Sequence, residues 1–376
     1  MEDPTVILEY LSGLIWGPVM LVALLGTGVY LSLGLKFLPL HWFAAAFFLT
    51  SFAEATAQTA ADAPVIETTI GTLGPFDKWL EGVRQEARGQ GISESTLHYA
   101  LRNIKPIARI IELDRRQPEF TLTLDQYLDR TIPTSRIAKA RRKFAENREL
   151  LEELQKKYQV PGRFVVALWG IESDFGNHTG GFSVVTALAT LAHDGRRSAY
   201  FRKELMNALK IIDQGHVTPE DMVGSWAGAM GQTQFMPSTF LRHAIDHDGD
   251  GRIDIWNSSS DALASGANYL RKAGWNPDRT WGREVTMPEG FDPGLAGKDK
   301  PRFLSAWDWY GVKRADGSPL PKRAITGAII FPERQEGEEG APGRAFLVYD
   351  NFPVILDWNR SNFFAIAVGQ LADQIN

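Results

Sequence analysis

Residues 164–175 read Phe-Val-Val-Ala-Leu-Trp-Gly-Ile-Glu-Ser-Asp-Phe, apolar at almost every position before Glu172. A continuous apolar run without alternation predicts a helix buried on most of its surface, and Gly176 and Asn177 supply its stop. Upstream the pattern is amphipathic: Phe76, Trp79, Leu80 and Val83 recur at helical spacing, and Gly89 and Gly91 end that helix. Ser93 is the predicted N-cap of the next helix, which carries Leu97 and Leu101. Pro106, Pro118 and Pro133 punctuate the chain beyond it, and residues 134–158 read as one charge-laced helix with a solvated face. Beyond Glu172, residues 186–192 and 201–212 predict further helices. From Trp281 the pattern changes to short runs bounded by Gly and Pro. Residues 284–287, 324–331 and 344–349 predict the strands of a small sheet, with an acidic hairpin tip at 333–340. Residues 362–372 return to helix.

The first sixty residues differ from the rest. Residues 10–35 carry no charge and are long enough to span a bilayer. Residues 42–52 form a shorter apolar run of signal-peptide length, followed by the small-x-small tripeptide Ala55-Thr56-Ala57. Glu2, Asp3 and the intervening Lys36 favour a cytoplasmic link between the two runs. Residues 1–57 therefore read as a transmembrane segment plus a signal-like segment, and 58–75 as a small-residue linker. The remainder is expected outside the inner membrane, in the periplasm or cell envelope, cleaved free or anchored by its head. Residues 14–30, with Leu14-Ile-Trp-Gly-Pro18 and Gly26-Thr-Gly28, also resemble the amino-terminal end of sodium/alanine symporters. A transporter needs many spans, and nothing after Phe52 is long and uncharged enough to be another.

Composition narrows the function. A net charge of -5 over 376 residues gives no basic face for nucleic acid. The absence of cysteine excludes disulfides, thiol catalysis and cysteine zinc sites. The 11 Trp and 21 Phe supply aromatic faces of the kind that line carbohydrate clefts, although most must be core.

Two stretches carry candidate chemistry. The commoner reading of a helix-end glutamate is an exposed charge, but the apolar run delivers Glu172 to a place poor in water. Burial there would raise its pKa towards the range of a general acid. In the small-residue stretch 224–240, the glycines and alanines imply close approach of backbone to a ligand or another helix. Gln232 and Gln234 beside Phe235 and Met236 suit a sugar bearing an N-acetyl group. Separately, Asp246-His-Asp248-Gly-Asp250-Gly-Arg252-Ile-Asp254 fits the first part of an EF-hand loop. Carboxylates stand at its first, third, fifth and ninth positions, and the Arg252 carbonyl at the seventh. Asn257 replaces the closing glutamate. Four carboxylates packed so tightly repel unless a cation lies among them, and calcium in a structural role is the expected occupant.

Trp169-Gly-Ile-Glu-Ser-Asp-Phe-Gly176, Ala227-Gly-Ala-Met-Gly231 with Gln234-Phe-Met-Pro237, and Asn268-Tyr-Leu270 with Gly274-Trp275 resemble the membrane-bound lytic murein transglycosylase B family. The resemblance runs from about Phe76 onward in unbroken order. It implies an α+β, mainly α chain: a helical subdomain (76–163), a lysozyme-like catalytic core (164–280) with the EF-hand-like loop at 246–261, a small inserted β subdomain (281–352), and a C-terminal cleft motif and helix (353–376). It makes Glu172 the sole catalytic acid and base, and puts Ser225, Gln234, Tyr269, Arg196, Arg197, Trp358, Asn359 and Phe364 along a glycan cleft. Trp358 and Phe364 stand where the family usually has tyrosine, so stacking survives and two hydroxyls are lost. The closing calcium ligand would be Asp261, one residue beyond the family's spacing, with Asn257 the alternative; Asp246, Asp248, Asp250 and Arg252 complete the set. No organic cofactor is expected.

The implied activity is cleavage of the bond between N-acetylmuramic acid and N-acetylglucosamine in peptidoglycan, leaving 1,6-anhydromuramoyl ends. Glycan strands are the expected partner, with membrane association and cell-wall synthesis complexes as further options. A hydrolytic muramidase using the same glutamate and a non-catalytic glycan-binding scaffold are the rival readings.

Overall fold

The computed structural model describes residues 76–115, 122–333 and 343–375. The bilayer-length run, the signal-like segment, the linker and most of the acidic hairpin tip lie outside them. Among the described residues no helix is long and apolar enough to cross a membrane.

Helices α1 (Phe76–Gly89), α2 (Glu94–Ala100) and α3 (Ala108–Arg115) open the fold. Ser93 caps α2 as expected, its hydroxyl accepting from Thr96 N at 3.2 Å. α4 (Leu124–Thr131) begins with a capping box built on Thr123 and Gln126. The charge-laced stretch is two helices rather than one, α5 (Thr134–Glu146) and α6 (Arg148–Tyr158). The break is Asn147, whose side-chain amide donates to the Lys143 carbonyl at 2.8 Å. An asparagine that bonds the preceding turn in this way competes with the helix ladder.

α7 (Gly162–Ser173) carries the apolar run, and Phe164 to Gly170 are all buried. It packs against α5, α11 (Ser259–Lys272) and α14 (Asn362–Gln374). Between them the chain forms β1 (Phe182–Ser183), α8 (Val184–Asp194), α9 (Ser198–Asp213), β2 (Val223–Gly224) and α10 (Pro237–His243). After α11 come β3 (Gly282–Thr286), β4 (Arg302–Phe303), α12 (Leu304–Trp309), β5 (Lys313–Arg314), β6 (Thr326–Ile330), β7 (Ala345–Val348) and α13 (Asn351–Trp358). The sheet order is β4-β6-β7-β3-β5, with every neighbouring pair antiparallel.

Alternation along the strands divides the sheet between two cores. Ala328, Ile330, Phe346 and Val348 face a large core shared with α4–α7, α11, α13 and α14. Ile329, Ala345 and Leu347 face a small core around Trp307. A third core joins α1–α3 to α8–α10. Tyr269 and Trp358 pack against both large cores, and the end of α7 lies at that seam.

Candidate active site

α7 stops abruptly after Glu172. Asp174, Phe175 and Gly176 follow one another in the left-handed region, with φ of 49°, 60° and 82°. Two such residues in succession that are not glycine cost backbone energy, and the packing around them holds them there. Phe175 folds back beneath the helix so closely that a Cβ on Gly170 would stand 2.6 Å from its ring. Ser173 Oγ donates to the Gln232 carbonyl at 2.7 Å and accepts from Gly176 N at 3.0 Å, stitching the turn to the glycine-rich stretch.

Gln232 ties the helix end to the stretch that follows. It is 6 % exposed. Its side-chain oxygen accepts from Trp169 Nε1 at 2.9 Å, and its amide donates to the Trp256 carbonyl at 3.1 Å. Both ends of the amide are thus committed inside the protein. Gln234, in the left-handed region, spends its amide on the Thr179 and Gly231 carbonyls at 3.1 and 2.9 Å. Only its carbonyl oxygen is left for a ligand.

Glu172 is half-buried, and Trp358 Nε1 donates to its Oε1 at 2.7 Å. Burial pushes the carboxyl up from 4.5 to about 7, against the smaller downward pull of that hydrogen bond. The indole packs against Phe235 and Tyr269, with ring centroids 5.2 and 4.8 Å away. Tyr269 donates its hydroxyl to the Asp357 carbonyl at 2.7 Å and lies 4.8 Å from the His243 ring. Burial, helped by Lys272 and Arg242, lowers His243 to about 4, so an uncharged imidazole completes this aromatic wall. His243 carries no signal of this role in the sequence. Its spacing marks only a short helix, and its Nδ1 is buried without a hydrogen-bond partner.

Asp174, the other nearby carboxylate, is engaged elsewhere. Burial alone would raise its pKa. Hydrogen bonds from Lys139 (2.5 Å) and Asn177 and the charge of Arg136 outweigh that and hold it below the usual carboxylate range. Ser225 Oγ accepts from Ala227 N and Ala229 N at 3.3 and 3.1 Å, which leaves its hydrogen free to donate.

Other residues expected along the cleft make contacts of their own. Arg196 and Arg197 both pair with the buried Asp114 and clamp α3 to the α8–α9 turn; their ion pairs do not reach the Glu172 cluster. Asn359 accepts from Ser361 N at 3.0 Å as part of the turn before α14, which engages its side-chain oxygen and not its amide nitrogen. Phe364 is 4 % exposed and belongs to the large core, so its ring is not an open stacking face. A groove of about 470 Å³ lies along Trp169, Phe175, Gln232 and Trp256, and Glu172 does not line it.

The aspartate loop precedes α11. Asp246, Asp248 and Asp261 bring ligand oxygens within 4.8 Å of one another. Asp261, capped by Ser258 and fully buried, also accepts from His247 N and Asp254 N at 2.8 Å. Burial still raises its pKa above the ordinary aspartate value. A buried carboxyl facing two others suits a hard cation with oxygen ligands. Asp254 turns instead to Trp256 N and to the backbone and side-chain N–H groups of Asn257, while Asp261 faces Asp246 and Asp248. Asp250 accepts from Arg252 N at 2.8 Å within the loop.

Residues 75–373 match the family described as the transglycosylase SLT domain. The chain is 31 % identical over 229 residues to membrane-bound lytic murein transglycosylase B of Escherichia coli K12, a match spanning 60 % of each protein. It is 42 % identical to SltB3 of Pseudomonas aeruginosa, crystallised with NAG-anhNAM-pentapeptide, with a TM-score of 0.75 over 80 % of this chain and 79 % of that one. It is 29 % identical to the soluble lytic transglycosylase SltB1 of the same organism, with a TM-score of 0.67 over 79 % of this chain and 97 % of the other. The mainly helical fold with its small sheet is thus the lysozyme-like fold of the lytic transglycosylases. With nearly the whole described region matched, the chain belongs to the transglycosylase SLT domain family.

Proposed function

We propose that this protein is a lytic transglycosylase that cleaves the β-1,4 bond between N-acetylmuramic acid and N-acetylglucosamine in peptidoglycan, with Glu172 as both acid and base. The observation that carries the reading is one half-buried carboxyl near neutral pKa, in a site whose other nearby carboxylate is tied to Lys139. A glycosidase ordinarily uses two carboxylates, one on each side of the bond. Here the second is spent, which suits chemistry in which the substrate supplies the nucleophile.

Protonated Glu172 gives its hydrogen to the glycosidic oxygen as the bond to C1 breaks. The N-acetyl group of the muramoyl residue stabilises the cationic centre. Glu172, now a carboxylate, takes the proton from the muramoyl C6 hydroxyl, whose oxygen closes on C1 as a 1,6-anhydro ring. No water is consumed. A pKa near 7 serves both halves, since one group must hold the proton and then recover it near working pH. The free hydroxyl hydrogen of Ser225 and the amide of Asn359 are suited to orient Glu172 or the N-acetyl group. The anhydro sugar crystallised with SltB3 is the kind of product this route leaves.

Asp246, Asp248 and Asp261, with Asp250 and the Arg252 carbonyl, would hold a structural calcium ion that neutralises the loop ahead of α11. Export to the cell envelope, with glycan strands as partner, follows from the bilayer-length and signal-like runs within residues 1–57.

The test is mass spectrometry of fragments released from purified sacculi by the full chain and by Glu172→Gln. Anhydromuropeptides from the wild type alone are expected. Reducing ends, one water heavier, would make the protein a hydrolytic muramidase. Binding without release by either protein would make it a scaffold.

A further inference from the structure

The group that touches Glu172 most closely can only donate. An indole offers one N–H and has no lone pair in its plane to give back. In this protein that N–H is aimed at Oε1 of Glu172 from 2.7 Å. A carboxylic acid has two nearly equivalent oxygens, and its hydrogen can sit on either. An Oε1 that accepts from the indole cannot also direct a hydrogen at it, because two hydrogens would then meet in one short contact.

We propose that Trp358 is a positioning residue that reserves Oε1 of Glu172 as the permanent acceptor and so confines the transferable proton to Oε2. The inference rests on Glu172 being the acid and base. It adds which atom does the work in each half: Oε2 releases the proton to the glycosidic oxygen, and Oε2 recovers it from the C6 hydroxyl. Oε1 keeps the same partner throughout, so no rearrangement is needed between the two steps.

The geometry makes the assignment rigid. The indole is wedged between Phe235 and Tyr269, against the latter at an interplanar angle of 66°. Its outer edge reaches Gly266, where an added Cβ would lie 3.8 Å from Cη2. The Tyr269 hydroxyl holds the Asp357 carbonyl, which fixes the backbone one residue before the indole. The void beside the ring, lined by Val165, Leu168 and Gly266 among others, measures about 10 Å³. That is room for no more than one water, far too little for another rotamer of tryptophan. The same N–H steadies the carboxylate form, which is why it opposes the effect of burial on the carboxyl.

The experiment compares wild type, Trp358→Phe and Trp358→Tyr in the full chain, with Glu172→Gln as the reference. The readouts are the pH profile of kcat/KM on a soluble glycan fragment and the carboxyl titration seen by carbon-13 NMR with labelled glutamate. The Glu172 signal is identified by its absence from Glu172→Gln. Loss of the donor in Trp358→Phe is expected to move the Glu172 titration and the alkaline limb up by about one unit, as for a hydrogen bond to a charged group. It should also lower kcat roughly tenfold with little change in KM. Trp358→Tyr restores a donor but adds an acceptor, so its titration should stay near the wild type while kcat falls. If Trp358→Phe does not fold, the tyrosine variant carries the test alone, and an unchanged kcat there overturns the proposal. A rise in KM alone, with titration and kcat unmoved, would make Trp358 a sugar platform and sink the inference while leaving the Glu172 reading intact. Activity in Glu172→Gln would instead remove the reading on which it rests.

Discussion

Gln232→Ala removes both side-chain bonds by which one buried amide joins the helix of Glu172 to the stretch around Trp256. Trp169 Nε1 loses the acceptor at 2.9 Å and the Trp256 carbonyl loses the donor at 3.1 Å. Trp169 is 6 % exposed and Trp256 9 %, so water cannot freely replace the lost partner. Each buried polar group left without a partner costs about 1–3 kcal/mol, which sets the total at about 2–6 kcal/mol before any cavity is counted. The backbone contacts of residue 232, from Ser173 Oγ to its carbonyl and from its N–H to Ile255, survive the substitution. The fold should therefore persist with a lower melting point. At about 2 °C per kcal/mol for a domain of this size, the fall is about 4–12 °C by calorimetry. Gln232→Glu is expected to do no better, because it restores the acceptor, lacks the donor and buries a charge. A melting point within about 1 °C of the wild type for Gln232→Ala would refute the reasoning, since it would mean that the two groups find other partners.

The pH dependence of stability reports Glu172 directly. Burial raises its carboxyl from 4.5 to about 7, so folding favours the protonated form. That contribution is complete below the unfolded value and is lost as pH rises through the folded one. Urea unfolding should therefore show wild type losing up to about 3 kcal/mol relative to Glu172→Gln between about pH 4 and pH 8; parallel curves for the two proteins would contradict this. Calcium at about 100 times its Kd should stabilise the wild type by about 2.7 kcal/mol, and Asp261→Asn should abolish the effect; a melting point indifferent to calcium and chelator would argue against the site. Gly170→Ala forces a methyl to within 2.6 Å of the Phe175 ring and should cost about 1–3 kcal/mol in urea unfolding. Phe175→Leu in the same chain should recover part of that loss, and additive effects would place the clash elsewhere.

The helix of Glu172 was legible because its burial is written in consecutive apolar residues, and the pKa consequence follows from burial alone. The sheet was legible as runs of apolar residues between Gly and Pro, although the two-residue strands β4 and β5 have too little pattern to show. What could not be read is what side chains do across long separations. Nothing local distinguishes Gln232, which ties the core, from Gln234, which keeps a free oxygen. Lys139 takes Asp174 from 35 residues away. The paired Arg196 and Arg197 look like open cations in sequence, but Asp114 claims both from the other side of the chain. Asn147 is a local feature whose effect depends on one rotamer: the side chain that breaks α5 from α6 could equally have pointed into solvent.

The bond between Trp358 and Glu172 closes a loop of 186 residues. Contacts that distant form late, because the entropy of closing the loop is lost before the contact repays it. α14, which packs directly on α7, also follows Trp358 in the chain. A nascent chain that has made the helix of Glu172 but not yet these residues holds an ordinary, solvated glutamate. Its pKa near 7 is thus a product of burial in the packed fold, not of the isolated helix that carries it. Partly folded protein would be chemically silent, and completion of the C-terminal packing sets when the group becomes competent.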